Sequence, residues 1–464
     1  MKRFISLNGF RYLFLPKPLL GAYIAMENFA KGLLRYGTFD EYHTVLDFNA
    51  QNEVSSERLA LVGQKYPRLK VRALQEFSPG EITPYDIFYC DYAVVDQQSI
   101  LRRHLQPYSL PLIRPFYTIA TNAHLRDLMN ICLLEQGGRP YDALIFLSNA
   151  SLGAIKSYLS DLESVHGITY RGHLTVIHPG IEAEEFAECP QLQARQKLNL
   201  PEKGIILLSN ARLSDTSKMD YHRVITFFLQ ALTHFPHVDL YLLLAGSDPN
   251  KQMQSRIMSQ LSGTPLINRI KFVTNYPDTI KRDIYQSADI FISLSDNLQE
   301  SFGITVIEAM ASRLPVIVTD WNGYKDIVDH GITGFRVPTA WDSAAVTEHE
   351  WLSVFRSAYD HGRIFEYAQK LQINLNAFLV YLEILINQKE RRLEMANAGY
   401  QKFTSMFTLE RQIINTEKLF HELMREAKAD RTSYSDLSSH LYYNYLRHFA
   451  SYPSSSDFTA NFDF

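Results

Sequence analysis

Short apolar runs alternate with longer amphipathic segments along the first 180 residues. Strand patterns fall at residues 3–7, 44–48, 70–73, 87–89, 112–119 and 143–147, and a further run at 174–177 leads into the turn His178-Pro179-Gly180. Between them, as at 22–35, apolar positions recur at helical spacing. Strands that alternate with helices build βα units and a parallel sheet. A charged stretch without periodicity, 182–193, reads as a linker. The alternation then restarts, with strands at 205–209, 240–245, 270–274, 290–294 and 316–319 and a helix at 222–235. The chain therefore reads as two α/β units. From about Ser343 it turns helical, most clearly at 391–427, and after Asp430 a tail rich in Ser and Tyr follows.

A length of 464 residues suits two or three domains, and 46% hydrophobic with 21% charged residues is the balance of a folded chain rather than a disordered one. The formal charge of -4 gives no support for a nucleic-acid binder. Cys90, Cys132 and Cys189 are far apart and odd in number, so they suggest neither a disulfide framework nor a zinc site. A reducing cytoplasm is the simplest home. The apolar run after Met1-Lys2-Arg3 is too short for a signal peptide and reads as a first strand. No run approaches the ~18 apolar residues of a membrane helix. The best candidate, 377–386, is short and contains Glu383. Peripheral contact with the inner face of a membrane stays open.

Candidate chemistry concentrates in residues 293–338. A strand ends at Leu294, a polar loop runs to Gly303, a helix follows to about Arg313, and Pro315 opens the next strand. A loop that meets a helix N-terminus at the carboxyl end of a parallel strand is where α/β sheets bind ligands. The free N–H groups of Gly303 and Ile304 suit a phosphate. Glu300 lies in the loop. Glu308 lies inside the helix among Val306, Ile307, Ala309, Met310 and Ala311. A carboxylate there is costly to bury without a partner. A ribose diol is one such partner, because an ionised carboxylate only accepts. Exposure to solvent is the other reading, and the pattern alone leaves both open.

The run Glu300-Ser-Phe-Gly-Ile-Thr-Val-Ile-Glu308-Ala-Met-Ala, followed by Pro315-Val-Ile, resembles the signature of glycosyltransferase family 4. Residues 330–335, His-Gly-Ile-Thr-Gly-Phe, resemble that family's next loop and strand. Asn210-Ala-Arg-Leu with Lys218 resembles its diphosphate clamp, and residues 176–182 resemble its interdomain segment. The likeness is good over about 140–340 and weaker before it, while 341–390 looks like an insertion. It implies an α/β chain of the GT-B fold, with two Rossmann-like domains facing across a cleft and a helical C-terminal extension. The implied division is 1–185 for the acceptor domain, 186–405 for the nucleotide-sugar domain, and 406–464 for a helix crossing back to the first domain plus a tail.

The resemblance further implies a retaining hexosyltransferase that needs no metal, with a nucleotide-diphosphate sugar, a UDP-sugar first, as co-substrate and no other cofactor. The acceptor would be a glycan or a lipid-linked or protein-linked sugar. Glu300 would hold the donor sugar and Glu308 the ribose. Arg212 and Lys218 would take the diphosphate. Ser301, Phe302, Gly303, Ile304 and Thr305 would line the sugar and phosphates. Gly21 stands where the family has a Gly-rich loop, here reduced to Pro18-Leu-Leu-Gly, and Asn275 lies where the base should sit. The family's histidine after the fifth strand is here His124, displaced, or is replaced by Asn122, or is absent. The chain has no Asp-x-Asp, no Gly-x-x-x-x-Gly-Lys-Ser/Thr and no Gly-x-Gly-x-x-Gly after a strand. Those absences speak against GT-A-type transfer, P-loop ATP hydrolysis and a dinucleotide dehydrogenase. A nucleotide-sugar epimerase and a non-catalytic partner subunit of the same fold are the alternatives.

Overall fold

The computed structural model describes residues 1–14, 21–46, 54–76, 84–91, 95–105, 110–134, 138–341, 361–430 and 432. The expected Pro18-Leu-Leu turn, the end of the predicted 44–48 strand and the Ser/Tyr tail beyond 432 lie outside these residues.

The first unit is built on strands β1 (Arg3–Leu7), β2 (Glu41–Leu46), β3 (Leu69–Ala73), β4 (Ile87–Cys90), β5 (Leu112–Phe116), β6 (Ala143–Phe146) and β7 (His173–Val176). All pair in parallel, in the order β3-β2-β1-β4-β5-β6-β7. The second unit holds β8 (Ile205–Asn210), β9 (Leu240–Gly246), β10 (Ile270–Thr274), β11 (Ile290–Ser293), β12 (Val316–Thr319) and β13 (Gly334–Val337). These too are all parallel, in the order β10-β9-β8-β11-β12-β13. Central strands such as Val316-Ile-Val-Thr are buried at every position, as both faces of a parallel sheet require. Strand order reverses between β1 and β4 in one sheet and between β8 and β11 in the other. Crevices at the carboxyl ends of strands flanking such a reversal are ligand sites.

Several of the predicted boundaries move: the second strand begins at Glu41 rather than 44, and the helical stretch 391–427 divides into Lys389–Met406 and Leu409–Ala429. The fifth strand stops at Phe116 rather than 119, and the chain from Tyr117 turns into the cleft. The expected linker is more ordered than its charge suggests. A 3-10 turn, Ala183–Phe186, buries Phe186 edge-on against Tyr285 at 5.7 Å, and a helix begins at Gln191. One buried aromatic fixes the segment, and the surrounding glutamates hide it from pattern reading. Part of the expected insertion belongs to the second core. Helix Leu375–Asn387 places Phe378, Leu382 and Leu385 among Leu207, Leu242 and Ile317.

Two chain crossings join the units side by side. Ile181 N–H donates to Phe407 O at 3.1 Å, and Leu409 N–H donates to Ile181 O at 2.9 Å. Helix Leu409–Ala429 is N-capped by Thr408 and sends Ile413, Phe420 and Leu423 into the first unit's core beside Phe4 and Phe39. Gly32 permits this approach, since a Cβ there would stand 2.8 Å from Leu409 Cδ1.

Candidate donor and acceptor cleft

A cavity of about 630 Å³ lies between the two sheets and is lined from both. The structure brings all the sequence-predicted residues to it: Glu300, Arg212, Lys218, Glu308, Ser301, Phe302, Gly303, Ile304, Thr305, Gly21 and Asn275.

The loop after β8 carries the two cations. Burial holds the Arg212 guanidinium below its ordinary value, and the charge of Glu300 opposes that shift. The buried Nε of Arg212 has no hydrogen-bond partner. A donor left unsatisfied is costly unless an acceptor arrives, so this atom suits an anion. Lys218 Nζ donates to Glu300 Oε2 at 3.1 Å. Across the cleft, a Cβ on Gly21 would stand 3.9 Å from the same Nζ. Gly21 begins the 16-residue helix Gly21–Tyr36. The positive end of a helix thus faces a lysine, a pairing that favours an anion between them.

The loop after β11 closes the other side. Gly303 takes φ 120° at the start of helix Ile304–Ala311, and a Cβ there would meet Tyr324 Cε1 at 2.4 Å. Only glycine fits this turn. Phe302 lines the cavity and is buried, its ring stacked on His178 at 5.5 Å. Ser301 O–H donates to Tyr117 O at 2.5 Å, and Thr118 Oγ1 donates to Gln299 Oε1, so this loop is tied to the first unit.

Glu308 is buried rather than exposed to solvent. Lys281 Nζ bonds its Oε1, and Tyr285 O–H donates to its Oε2 at 2.5 Å. A chain of contacts continues outward: Asn210 Nδ2 donates to Tyr285 at 3.0 Å, and Tyr276 O–H donates to Asn210 Oδ1 at 2.9 Å. Burial pulls the Lys281 ammonium down, and Glu308 more than restores it. Burial, reinforced by the charge of Glu308, holds the Tyr285 phenol well above its ordinary value. Residue spacing showed neither Lys281 nor Tyr285 as a partner of Glu308, nor Asn210 as the partner of Tyr285. Lys281 and Tyr285 share one helix face at i,i+4, but their target is distant in sequence. Asn275 spends its side chain on the loop after β9, accepting from Asp248 N–H at 2.8 Å and donating to Asp248 O at 2.8 Å. It lines the cavity as a brace, with φ 52°.

The first-sheet wall presents Tyr23, Asp91, Tyr117, Thr118, His124 and Asp127. Of the two named candidates for the displaced histidine's place, His124 lines the cavity and Asn122 does not. Its Nδ1 lies 2.6 Å from Thr121 Oγ1, and burial pushes the imidazole down to about 4, so it is neutral near pH 7. Burial pushes Asp91 up to about 8 and Asp127 up to about 6. Sequence reading missed both carboxylates, which no motif marks.

Residues 190–353 match the family described as "Glycosyl transferases group 1". The chain is 24% identical over 290 residues to the D-inositol 3-phosphate glycosyltransferase of Thermobispora bispora, a match covering 59% of this chain and 63% of that protein. It thus spans less than two thirds of that relative's length. Among solved structures, Anabaena HepE in complex with UDP and glucose aligns with a TM-score of 0.59 at 17% identity, covering 91% of this chain and 100% of that one. Sucrose-phosphate synthase from Thermosynechococcus elongatus aligns with a TM-score of 0.61 at 18% identity, covering 92% and 100%. At such identities the likeness is one of fold, and the two facing parallel sheets with a helical C-terminal region are the GT-B arrangement. Among the described residues, no helix is long and apolar enough to cross a membrane.

Proposed function

We propose that this chain is a retaining glycosyltransferase that moves a hexose-type sugar from a nucleotide-diphosphate sugar, a UDP-sugar first, to an acceptor hydroxyl. One observation carries the reading: the unpartnered Nε of Arg212, the Lys218–Glu300 pair and the N-terminus of helix Gly21–Tyr36 converge on one cavity at the carboxyl edges of both sheets. Fixed positive groups there oppose the charge that grows on a departing diphosphate. The bond between the sugar's anomeric carbon and the diphosphate oxygen breaks, and its electron pair leaves with the diphosphate. The acceptor oxygen bonds to the same face of that carbon, and its proton passes to a leaving phosphate oxygen. The front-face route follows the fold's analogy. Glu300, next to Lys218, would accept from donor-sugar hydroxyls, and Glu308 has lone pairs left for ribose after Lys281 and Tyr285. The Anabaena structure with UDP and glucose supports this choice of donor.

The test is titration calorimetry with UDP, GDP and ADP, followed by transfer assays with the sugars of whichever nucleotide binds. The expected result is binding of one nucleoside diphosphate, transfer with the donor's anomeric configuration kept, and activity that survives EDTA because Arg212 and Lys218 supply the positive charge. An inverted product, or complete loss with EDTA that manganese restores, would contradict the proposal.

A further inference from the structure

The two walls of the cleft differ in charge. The second-sheet wall carries Arg212, Lys218 and Lys281. Among the described lining residues, the first-sheet wall carries no lysine or arginine, yet it holds two carboxylates, Asp91 and Asp127. Asp91 follows β4 directly, at the point where the first sheet's strand order reverses. It is 5% exposed, its Oδ1 accepts from Tyr117 O–H at 3.3 Å, and its Oδ2 has no partner. Asp127 is half-buried on helix Asn122–Leu134, one turn after His124. Burial raises both carboxyls and keeps His124 neutral, so near pH 7 Asp127 is mostly ionised and Asp91 largely protonated. Among the described lining residues of this wall the helix start at Gly21 is the positive feature, and no cationic side chain stands beside Asp127. An ionised Asp127 can only accept, and a protonated Asp91 offers one donor besides its acceptors, so sugar hydroxyls satisfy both groups while a phosphate would meet the charge of Asp127. Tyr23, packed on Tyr12 with ring centroids 4.7 Å apart, adds an aromatic surface beside them.

Building on the transferase reading, we infer that the acceptor is an uncharged pyranose whose hydroxyls are bound by Asp127 and Asp91, and that phosphorylated acceptors are rejected. The two carboxyl groups, Asp127 carrying the charge, anchor the acceptor on the face opposite the cations that hold the donor. This division orients the two substrates, since a phosphate on the acceptor would be drawn to the donor's cations and repelled by its own wall.

The test is saturation-transfer NMR and calorimetry on the full chain loaded with UDP. The ligands are methyl glucoside, mannoside, galactoside and N-acetylglucosaminide, each beside its 6-phosphate, with octyl glucoside as a lipid-like arm. At least one uncharged glycoside should bind ten times tighter than its phosphate or more. Asp127→Asn should weaken that sugar about tenfold, in line with loss of a charge-assisted hydrogen bond, and should leave UDP binding within about twofold because it belongs to the wall that carries none of Arg212, Lys218 and Lys281. Asp127→Lys should narrow or reverse the discrimination against phosphate. Binding of the octyl over the methyl glycoside would assign a lipid-linked source, and equal binding a free glycan end; both support the inference. Equal or tighter binding of the phosphates would overturn it. So would UDP binding with no uncharged sugar bound, or sugar binding unchanged in Asp127→Asn. Failure of the parent chain to bind any nucleoside diphosphate would overturn the transferase reading itself.

Discussion

Glu308 and Asp91 are both buried carboxylates at the edge of a parallel sheet, and the protein treats them differently. Glu308 meets a lysine and a tyrosine, so its charge is matched inside the fold. Asp91 meets tyrosine hydroxyls, Tyr117 at 3.3 Å and Tyr89 beside it, faces no cation among the described lining residues, and leaves Oδ2 without a partner. The second-sheet side, proposed to hold the donor, has its charges matched within the fold, the arrangement that electrostatic catalysis needs. The first-sheet side, proposed to hold the acceptor, carries polar groups whose cost the fold alone does not offset, a feature typical of binding surfaces. The contrast says where stability and activity should coincide and where they should oppose each other.

The largest effect should fall on catalysis at the donor side. Arg212→Ala and Lys218→Ala should each lower kcat by about 10²–10³, or ~3 kcal/mol, because each removes a fixed charge that acts mainly in the transition state. Melting temperatures should stay close to the parent's. Rates near the parent's in both variants would place the diphosphate elsewhere. Lys281→Met should instead unfold the protein more readily, by ~3 kcal/mol in urea denaturation, because it strands Glu308 in the interior. Adding Glu308→Gln should recover most of that loss while nucleotide binding stays weak. If the double variant is no more stable than the single one, the pair is not the unit described above. Gly303→Ala should cost ~2 kcal/mol through its φ of 120° and the collision with Tyr324. Its kcat should fall as the helix start shifts, and an unchanged rate would show that this turn does not set the site.

Much of this was readable in the chain. The β12 run Val316-Ile-Val-Thr and the Gly303 turn carry local signals, namely continuous apolar burial and a residue type tied to its backbone angle. The Glu300–Glu308 run was legible because chemistry and helix start share one short stretch. What stayed hidden was tertiary. Lys281 meets Glu308 only after two βα units pack, and Asp91 and Asp127 come from separate loops and helices. Phe186 was masked by its charged neighbours. The packing of Phe302 on His178 and Phe407 likewise depends on the second chain crossing and could not be read from the motif.

The smallest expected effect tests the acceptor wall through stability rather than activity. Burial raises the Asp127 carboxyl from 3.8 to about 6. Below pH 3.8 both the folded and unfolded chains hold this proton, and the group contributes nothing. As pH rises, the unfolded chain releases the proton first, so the folded state loses stability until about pH 6, and the penalty is constant above that. Asparagine carries no such penalty. Asp127→Asn should therefore match the parent near pH 3.5 and exceed it above pH 6.5. The shift alone suggests more, but Asp127 is only half-buried, and solvent screening reduces the gain to about 1 kcal/mol. His124 titrates in both proteins at about 4, so it cancels in the difference. Thermal melts of parent and variant from pH 3.5 to 8 would show the two curves separating across pH 4–6. A variant less stable than the parent at pH 7 would mean that Asp127 holds a structural partner, and that its place on this wall is for the fold rather than for a sugar.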